Sequence, residues 1–234
     1  MSPVLVGVVA LVVIGVAFLA RPRRFYFVRH GETMLNVERI KQGAEGGLSE
    51  RGERQAERVG EGLQHLSIAR IIASPYPRAR ETAMILEKYL KVPVIYSPLM
   101  VERRNPRDII GKSTRDPEVM RIVDQIDLAY HEDDYRFSDE ENFIELKERA
   151  RRCLNLLARQ GARNTCIVTH HVFLKILLAY LLYRERLHSA DFAKLSFFNV
   201  SDNAGITVCE FRPWRVFSRT RGWSVVSYNE QLLD

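Results

Sequence analysis

The sequence predicts an α/β fold, a three-layer sandwich with a mainly parallel central sheet flanked by helices, preceded by one N-terminal transmembrane helix. Three observations predict it. Short apolar and β-branched runs alternate with segments of helical spacing, the order expected when parallel strands are joined by crossover helices. Several of these runs end in polar loops that carry Arg or His. The seventeen residues from Val4 to Ala20 contain no charge, at the short end of what spans a hydrocarbon core.

The 234 residues divide into 1–24, an anchor with a basic juxtamembrane segment, and 25–234, a stretch long enough for one α/β domain with its own core. A cleaved signal peptide fits poorly. No Lys or Arg precedes the apolar run, and Phe18 and Leu19 stand where small residues are wanted for cleavage. Arg21, Arg23 and Arg24 follow the run, and positive charge beside a span stays on the cytoplasmic side, so a single-pass protein with its folded domain in the cytoplasm is expected. Those arginines carry half of the formal net charge of +6. A membrane surface therefore explains much of the surplus, and without a basic stripe interleaved with aromatics nucleic acid is not an expected partner. Cys153, Cys166 and Cys209 are odd in number and far apart, which suits free thiols in a reducing compartment.

Phe25 to Val28 reads as a buried strand ending at Arg29-His30-Gly31. After a Gly-rich loop, Ser49 is placed to cap a helix whose apolar positions are Ala56, Val59, Leu63 and Leu66. Ile68 to Ala73 is the next strand, stopped by Ser74-Pro75-Tyr76-Pro77. A helix from Arg78 to Leu90 and a short strand from Val92 to Tyr96 follow. Between Pro98 and Asp139 the pattern breaks into loops with a short helix near 117–128. Leu146, Ala150, Cys153, Leu154 and Leu157 then mark one face of a helix from Asn142 to Gln160, ended by Gly161. Thr165 to Thr169 is a buried strand, His170-His171 follows it, and Val172 to Leu182 is a buried helix. Ile206 to Phe211 and Trp223 to Tyr228 alternate as strands, antiparallel to the rest.

Ligands of open parallel sheets bind at the carboxyl ends of the strands. Arg29, His30, Arg78 and His170 all fall there, and two guanidiniums with two imidazoles make an anion site suited to phosphate. A neutral imidazole in such a pocket can serve as the nucleophile of phosphoryl transfer, with a carboxylic acid protonating the leaving oxygen. Gly31 allows a close backbone approach. Adjacent His170 and His171 do not make a metal site, because chain neighbours point apart and no further ligands stand at a suitable spacing. His65, His131 and His188 read as surface or packing residues.

Four separated segments carry a resemblance. Phe27-Val28-Arg29-His30-Gly31-Glu32-Thr33-Met34-Leu35-Asn36, Leu48-Ser49-Glu50-Arg51-Gly52-Glu53-Arg54-Gln55-Ala56, Ser74-Pro75-Tyr76-Pro77-Arg78-Ala79-Arg80-Glu81-Thr82-Ala83 and Thr169-His170 stand in order. Together they resemble the motifs of the histidine phosphatase (phosphoglycerate mutase-like) superfamily. The resemblance implies His30 as nucleophile, Arg29, Arg78 and His170 as phosphate ligands, and Asn36, Gln42 and Gly43 as pocket lining. It further implies Glu102 as acid/base, with Glu141-Asn142 opening a helix at the site border. Gly46-Gly47 and His171 depart from the family pattern.

The expected activity is that of a phosphoric monoester hydrolase of the histidine acid phosphatase type, acting through a phosphohistidine without metal or organic cofactor. Two other readings are a mutase-type phosphotransferase and a non-catalytic membrane-bound scaffold for phosphorylated ligands. The phosphorylated partner could be a small molecule, a lipid headgroup or a phosphoprotein, and tethering favours the last two.

Overall fold

The computed structural model describes residues 21–127, 132–198, 201–215 and 217–232. The apolar run Val4 to Ala20 and His131 lie outside them; among the described residues no helix is long and apolar enough to cross a membrane.

Strand β1 (Arg23–Arg29) leads through a loop and one turn of helix, α1 (Met34–Val37), to helix α2 (Glu50–Leu63). Strand β2 (Ile71–Ala73), helix α3 (Pro77–Leu90) and strand β3 (Val94–Tyr96) follow. An excursion containing helix α4 (Pro117–Asp127) then precedes helix α5 (Phe143–Ala158), strand β4 (Asn164–Thr169) and helix α6 (His171–Tyr183). Helix α7 (Ser189–Phe198), which the sequence reading lacked, comes before the final strands β5 (Ile206–Phe211) and β6 (Trp223–Glu230).

The six strands form one sheet in the order β3-β2-β4-β1-β5-β6. The first four are mutually parallel, and β5 and β6 are antiparallel additions. Alternation along the strands sorts side chains to two faces. Phe25, Phe27, Ile72 and Ile167 join Leu146, Leu154 and Leu157 of α5 and Leu174 and Leu177 of α6 in one core. Tyr26, Val28, Ile71, Cys166 and Val168 point the other way, onto Val59 and Leu63 of α2 and Ala79, Ala83 and Leu86 of α3. These two cores are the interfaces of a three-layer sandwich. The three cysteines are free and packed inside it, where burial pushes each thiol up to about 12.

Some boundaries differ from the periodic reading. β1 begins at Arg23, so Arg23 and Arg24 belong to the sheet. Arg24 pairs with Glu210 of β5 at 3.2 Å, and Arg23 donates to the Ala158 carbonyl at 2.6 Å. Helix α2 stops at Leu63, leaving Leu66 beyond its end, and α5 stops at Ala158, before Gly161. Asn142 caps α5 by a reciprocal pair of hydrogen bonds with Glu145.

Candidate active site

The carboxyl ends of β1, β2 and β4 lie side by side in the sheet, and the loops leaving them carry the predicted residues. His30 follows β1 and is 4% exposed. Its Nδ1 stands 2.7 Å from the Gly31 carbonyl, which can only accept. Nδ1 must therefore hold the ring proton, leaving Nε2 with a free lone pair in the neutral ring. Burial first, then the charges of Arg78 and Arg29, hold its pKa well below the ordinary 6.5.

His170, fully buried, follows β4, with its ring centroid 5.1 Å from that of His30. Its Nε2 meets Ser74 Oγ at 2.8 Å, and Ser74 Oγ also accepts the Tyr76 amide at 3.2 Å. With the Ser74 hydroxyl donating to Nε2, the single N–H of the neutral ring lies on Nδ1. Nδ1 is buried and without a partner among the described residues. Burial, His30, Arg78 and Arg29 all depress the pKa of His170.

Arg78, 2% exposed, stands in the first turn of α3. It donates to the Gly43 carbonyl at 3.1 Å and the Glu45 carbonyl at 3.0 Å, and its guanidinium lies 5.3 Å from the Tyr76 ring, itself 5.3 Å edge-on to His170. Arg29 donates to the Ser201 carbonyl. Nε of Arg29 and Nε of Arg78 are, like Nδ1 of His170, buried donors without a partner among the described residues. Each such orphan costs about 1–3 kcal/mol, a cost that a bound oxyanion is suited to offset.

The motif residues around these groups have separate tasks. Thr82, one helical turn after Arg78, accepts the Gly31 amide at 3.1 Å and donates to the Arg78 carbonyl at 2.8 Å. Glu81 accepts the Leu48 amide at 2.6 Å. Gly47 lies against this carboxylate, and Gly46 takes φ +97°, so the Gly46-Gly47 pair suits a loop that closes tightly here. Gln55 accepts the Glu32 amide at 2.8 Å. Gly31 and Gly52 touch through their backbones: a Cβ on Gly31 would overlap the Gly52 carbonyl, and one on Gly52 would overlap the Glu32 carbonyl.

Asn36 caps α1 reciprocally with Thr33, and its side-chain oxygen accepts from Asn203 at 3.4 Å. Gln42 donates to Thr33 Oγ1 at 2.8 Å, and Gly43 contributes the carbonyl that holds Arg78. Asn203 binds the carbonyls of His30 at 3.1 Å and Gly31 at 3.2 Å. Asn203, Ser201, Ser74 and Thr82 were not predicted. Ser74 and Thr82 lie inside a quoted motif, whereas Asn203 and Ser201 sit in a loop with no sequence signal of their own.

Glu102 reaches the N-terminus of α6, where its carboxylate accepts the Val172 amide at 3.1 Å and the Phe173 amide at 2.9 Å, besides the Arg103 amide at 2.8 Å. Burial alone would push this carboxyl up, but the three amides and the nearby His171 outweigh it and hold the pKa below the ordinary 4.5. Its negative charge opposes the lowering that burial imposes on the Arg29 and Arg78 guanidiniums. His171 turns to Ser201, with Nδ1 3.0 Å from its hydroxyl oxygen. Glu141 forms a two-pronged pair with Arg149 at 2.7 and 2.6 Å. Of the other histidines, His65 is exposed and His188 pairs with Asp133 at 3.0 Å on the surface.

A cavity of about 520 Å³ opens beside His171, lined by Lys41, Arg103, Asp127, Glu141, Phe143 and Lys175 among others. Of the basic residues in the excursion, Arg103 lines it and pairs with Asp127 at 2.7 Å, whereas Lys112 and Arg115 are on the surface.

An α/β protein that gathers two buried imidazoles and two guanidiniums at its sheet edge has the groups to hold a phosphoryl oxyanion. Residues 25–229 match the histidine phosphatase superfamily (branch 1), and the chain belongs to that family. A relative from an Enterobacter species, named Probable phosphoglycerate mutase GpmB, is 32% identical over 175 residues, covering 69% of this chain and 77% of its own. Among solved structures, the mycobacterial glucosyl-3-phosphoglycerate phosphatase crystallised with VO3 superimposes with TM-score 0.71 at 25% identity, covering 89% of this chain and all of that one. The alpha-ribazole phosphatase of Shigella flexneri shares the fold, with TM-score 0.70 at 21% identity over 90% of this chain and 98% of its own.

Proposed function

We propose that the protein hydrolyses phosphomonoesters by two phosphoryl transfers through His30. The observation that carries this reading is the lone pair of His30 Nε2 beside three orphaned donors, Arg29 Nε, Arg78 Nε and His170 Nδ1. In the first step Nε2 forms a bond to phosphorus, the bond to the ester oxygen breaks, and the Glu102 carboxyl gives its proton to the departing alcohol. In the second, water attacks the phosphohistidine, Glu102 takes a proton from it, and the P–N bond breaks to release phosphate and the neutral imidazole. In the empty pocket Glu102 is a carboxylate; an arriving phosphate dianion raises its pKa and lets it bind the proton the first step needs. The cationic donors supply the charge stabilisation that phosphoryl transfer requires, so the reaction as proposed uses no metal.

Release of phosphate from p-nitrophenyl phosphate in the presence of a chelator tests the reading, together with rapid-quench capture of a phosphorylated His30. Absence of both would leave a binding scaffold. A phosphotransferase of the mutase type is the second reading, supported by the name of the Enterobacter relative. Isomerisation of phosphoglycerate outrunning phosphate release would favour it.

The cavity beside His171, whose wall mixes charged side chains with Ile126, Phe143, Leu146 and Phe192, suits the alcohol part of an ester with both polar and apolar groups. We also propose that residues 4–20 tether the domain to a membrane, on the strength of their uncharged, apolar sequence. β1 starts at Arg23 and carries the site at its far end, roughly 20 Å away at about 3.3 Å per residue. A site at the opposite end of β1 from the point where residues 4–20 join it supports a soluble substrate rather than a lipid headgroup of the same membrane. Flotation of the full chain with vesicles, lost on removal of residues 1–20, tests the tether.

A further inference from the structure

The side chain of Glu102 can act only if the turn carrying it holds its place against the cradle, and little of that turn is regular structure. A single 3₁₀ turn, Pro98–Met100, precedes Glu102, and the chain then leaves on the excursion toward α4. Its backbone carbonyls nevertheless have partners. The Met100 carbonyl accepts Thr169 Oγ1 at 2.8 Å, from the last residue of β4. The Leu99 and Val101 carbonyls both accept Arg149 Nη1, at 3.2 and 2.6 Å, and the Glu102 carbonyl accepts Arg149 Nη2 at 3.5 Å.

Arg149 comes from the middle of α5, and its guanidinium lies 4.2 Å from the Phe173 ring of α6. Phe173 is the residue whose amide binds the Glu102 carboxylate. The opposite edge of the guanidinium is engaged by both oxygens of Glu141, and the two side chains are 12% and 13% exposed. A planar fork can bind a carboxylate on one edge and carbonyls on another at fixed angles; an ammonium cannot. Without Glu141 the guanidinium would lose that anchor, since the pair is nearly desolvated.

We propose that Arg149, oriented by Glu141, is a positioning residue for Glu102: it sets the distance between the proton-donating carboxyl and the ester oxygen that leaves His30-bound phosphorus. The proposal rests on Glu102 being the acid, and it goes beyond that assignment by naming what places the acid. The defect expected on removing Arg149 is thus confined to reactions that need the proton. An alkyl phosphate must have its leaving oxygen protonated, whereas 2,4-dinitrophenolate departs without help.

The test compares kcat/KM for glycerol 3-phosphate and 2,4-dinitrophenyl phosphate in the full chain and in Arg149→Met, Arg149→Lys, Glu141→Gln and Glu102→Gln. Loss of general acid help amounts to about 10²–10⁴-fold. Glu102→Gln should show that loss on the alkyl ester and little on the dinitrophenyl ester. Arg149→Met and Arg149→Lys should each show the same selective pattern at roughly 10²-fold, and Glu141→Gln a smaller one. If Glu102→Gln is selective but the Arg149 and Glu141 variants slow both esters equally, Arg149 is merely structural and the proposal is overturned. If Glu102→Gln is itself unselective, the acid assignment falls instead. Should Arg149→Met not fold, Glu141→Gln, which keeps the volume and removes the charge, decides by the same ratio.

Discussion

The excursion between β3 and α5 is tied to a loop of the phosphate cradle, Asn105 donating to the Gln42 carbonyl at 3.1 Å, yet the two regions are held in different ways. Arg29, His30 and His170 end strands whose neighbours are paired on both sides, and Arg78 begins a helix packed into the core. The loops between them are tied by Thr82, Asn203 and the Gly31–Gly52 contact. The excursion instead has a small core of its own, Ile109, Val119 and Ile122, and ion pairs such as Arg103 with Asp127 and Arg136 with Glu145. A phosphoryl group is the same in every ester, so its receptor can be built rigidly into the sheet edge. Under the proposed reaction the alcohol differs from ester to ester, and the excursion, which hangs on replaceable contacts, is the wall expected to meet it.

Removing the nucleophile should have the largest effect on activity. His30→Ala should lower kcat on p-nitrophenyl phosphate by about 10⁴-fold or more, with the thermal midpoint retained. Near-normal turnover would mean that the cradle binds phosphate without reacting with it. Next comes the steric contrast between two glycines. Gly52→Ala forces a methyl into the Glu32 backbone and should cost about 3 kcal/mol in chemical denaturation. Gly111→Ala in the excursion meets nothing within 4 Å but sits at φ +80°, so about 1 kcal/mol is expected. Equal costs would erase the proposed difference in rigidity.

Acid should separate the two regions by pH window. His30, His170 and His171 have folded pKa values depressed by burial, His171 to about 4. Below their unfolded value near 6.5 the unfolded chain binds protons that the folded chain does not, so stability is full above that pH and lost as pH falls toward 4. In the excursion, Asp127 is held below 3.8 by Arg103 despite burial, and Glu145 below 4.5 by Arg136. Their contribution is lost only under more acidic conditions. Thermal melts should therefore decline in two stages from pH 7 to pH 3, and His171→Gln should reduce the first alone. Because His30 stays neutral while Glu102 gains its proton, kcat/KM should meanwhile rise from pH 8 to pH 5. A fall over that range would contradict the proton assignments.

The smallest effect expected is from Asn203→Ala. It removes the tie to the His30 and Gly31 carbonyls and should cost about 1 kcal/mol with a modest rise in KM. A larger loss in kcat would make Asn203 part of the chemistry rather than of its support.

Much of the cradle was legible from local order. A strand ending in Arg29-His30-Gly31, a helix opening at Pro77-Arg78 and a strand ending at Thr169-His170 are each readable, and parallel topology brings strand ends together whatever the loops do. The excursion resisted such reading because its periodicity is short and broken. The Arg149 clamp that holds its first turn joins residues about fifty positions apart, Arg149 with Leu99 and Val101.

Composition, period and motif order by themselves determined the α/β class and the order of strands and helices apart from α7, because each follows from neighbours within a turn or a strand. Only the tertiary structure decided which nitrogen of His30 is free, that Glu102 caps α6, that Asn203 holds the loop after β1 and that Arg23 and Arg24 are strand residues. Those outcomes depend on which carbonyl, amide or charge arrives from elsewhere in the chain, and hydrogen-bond geometry and burial exist only after the layers have packed.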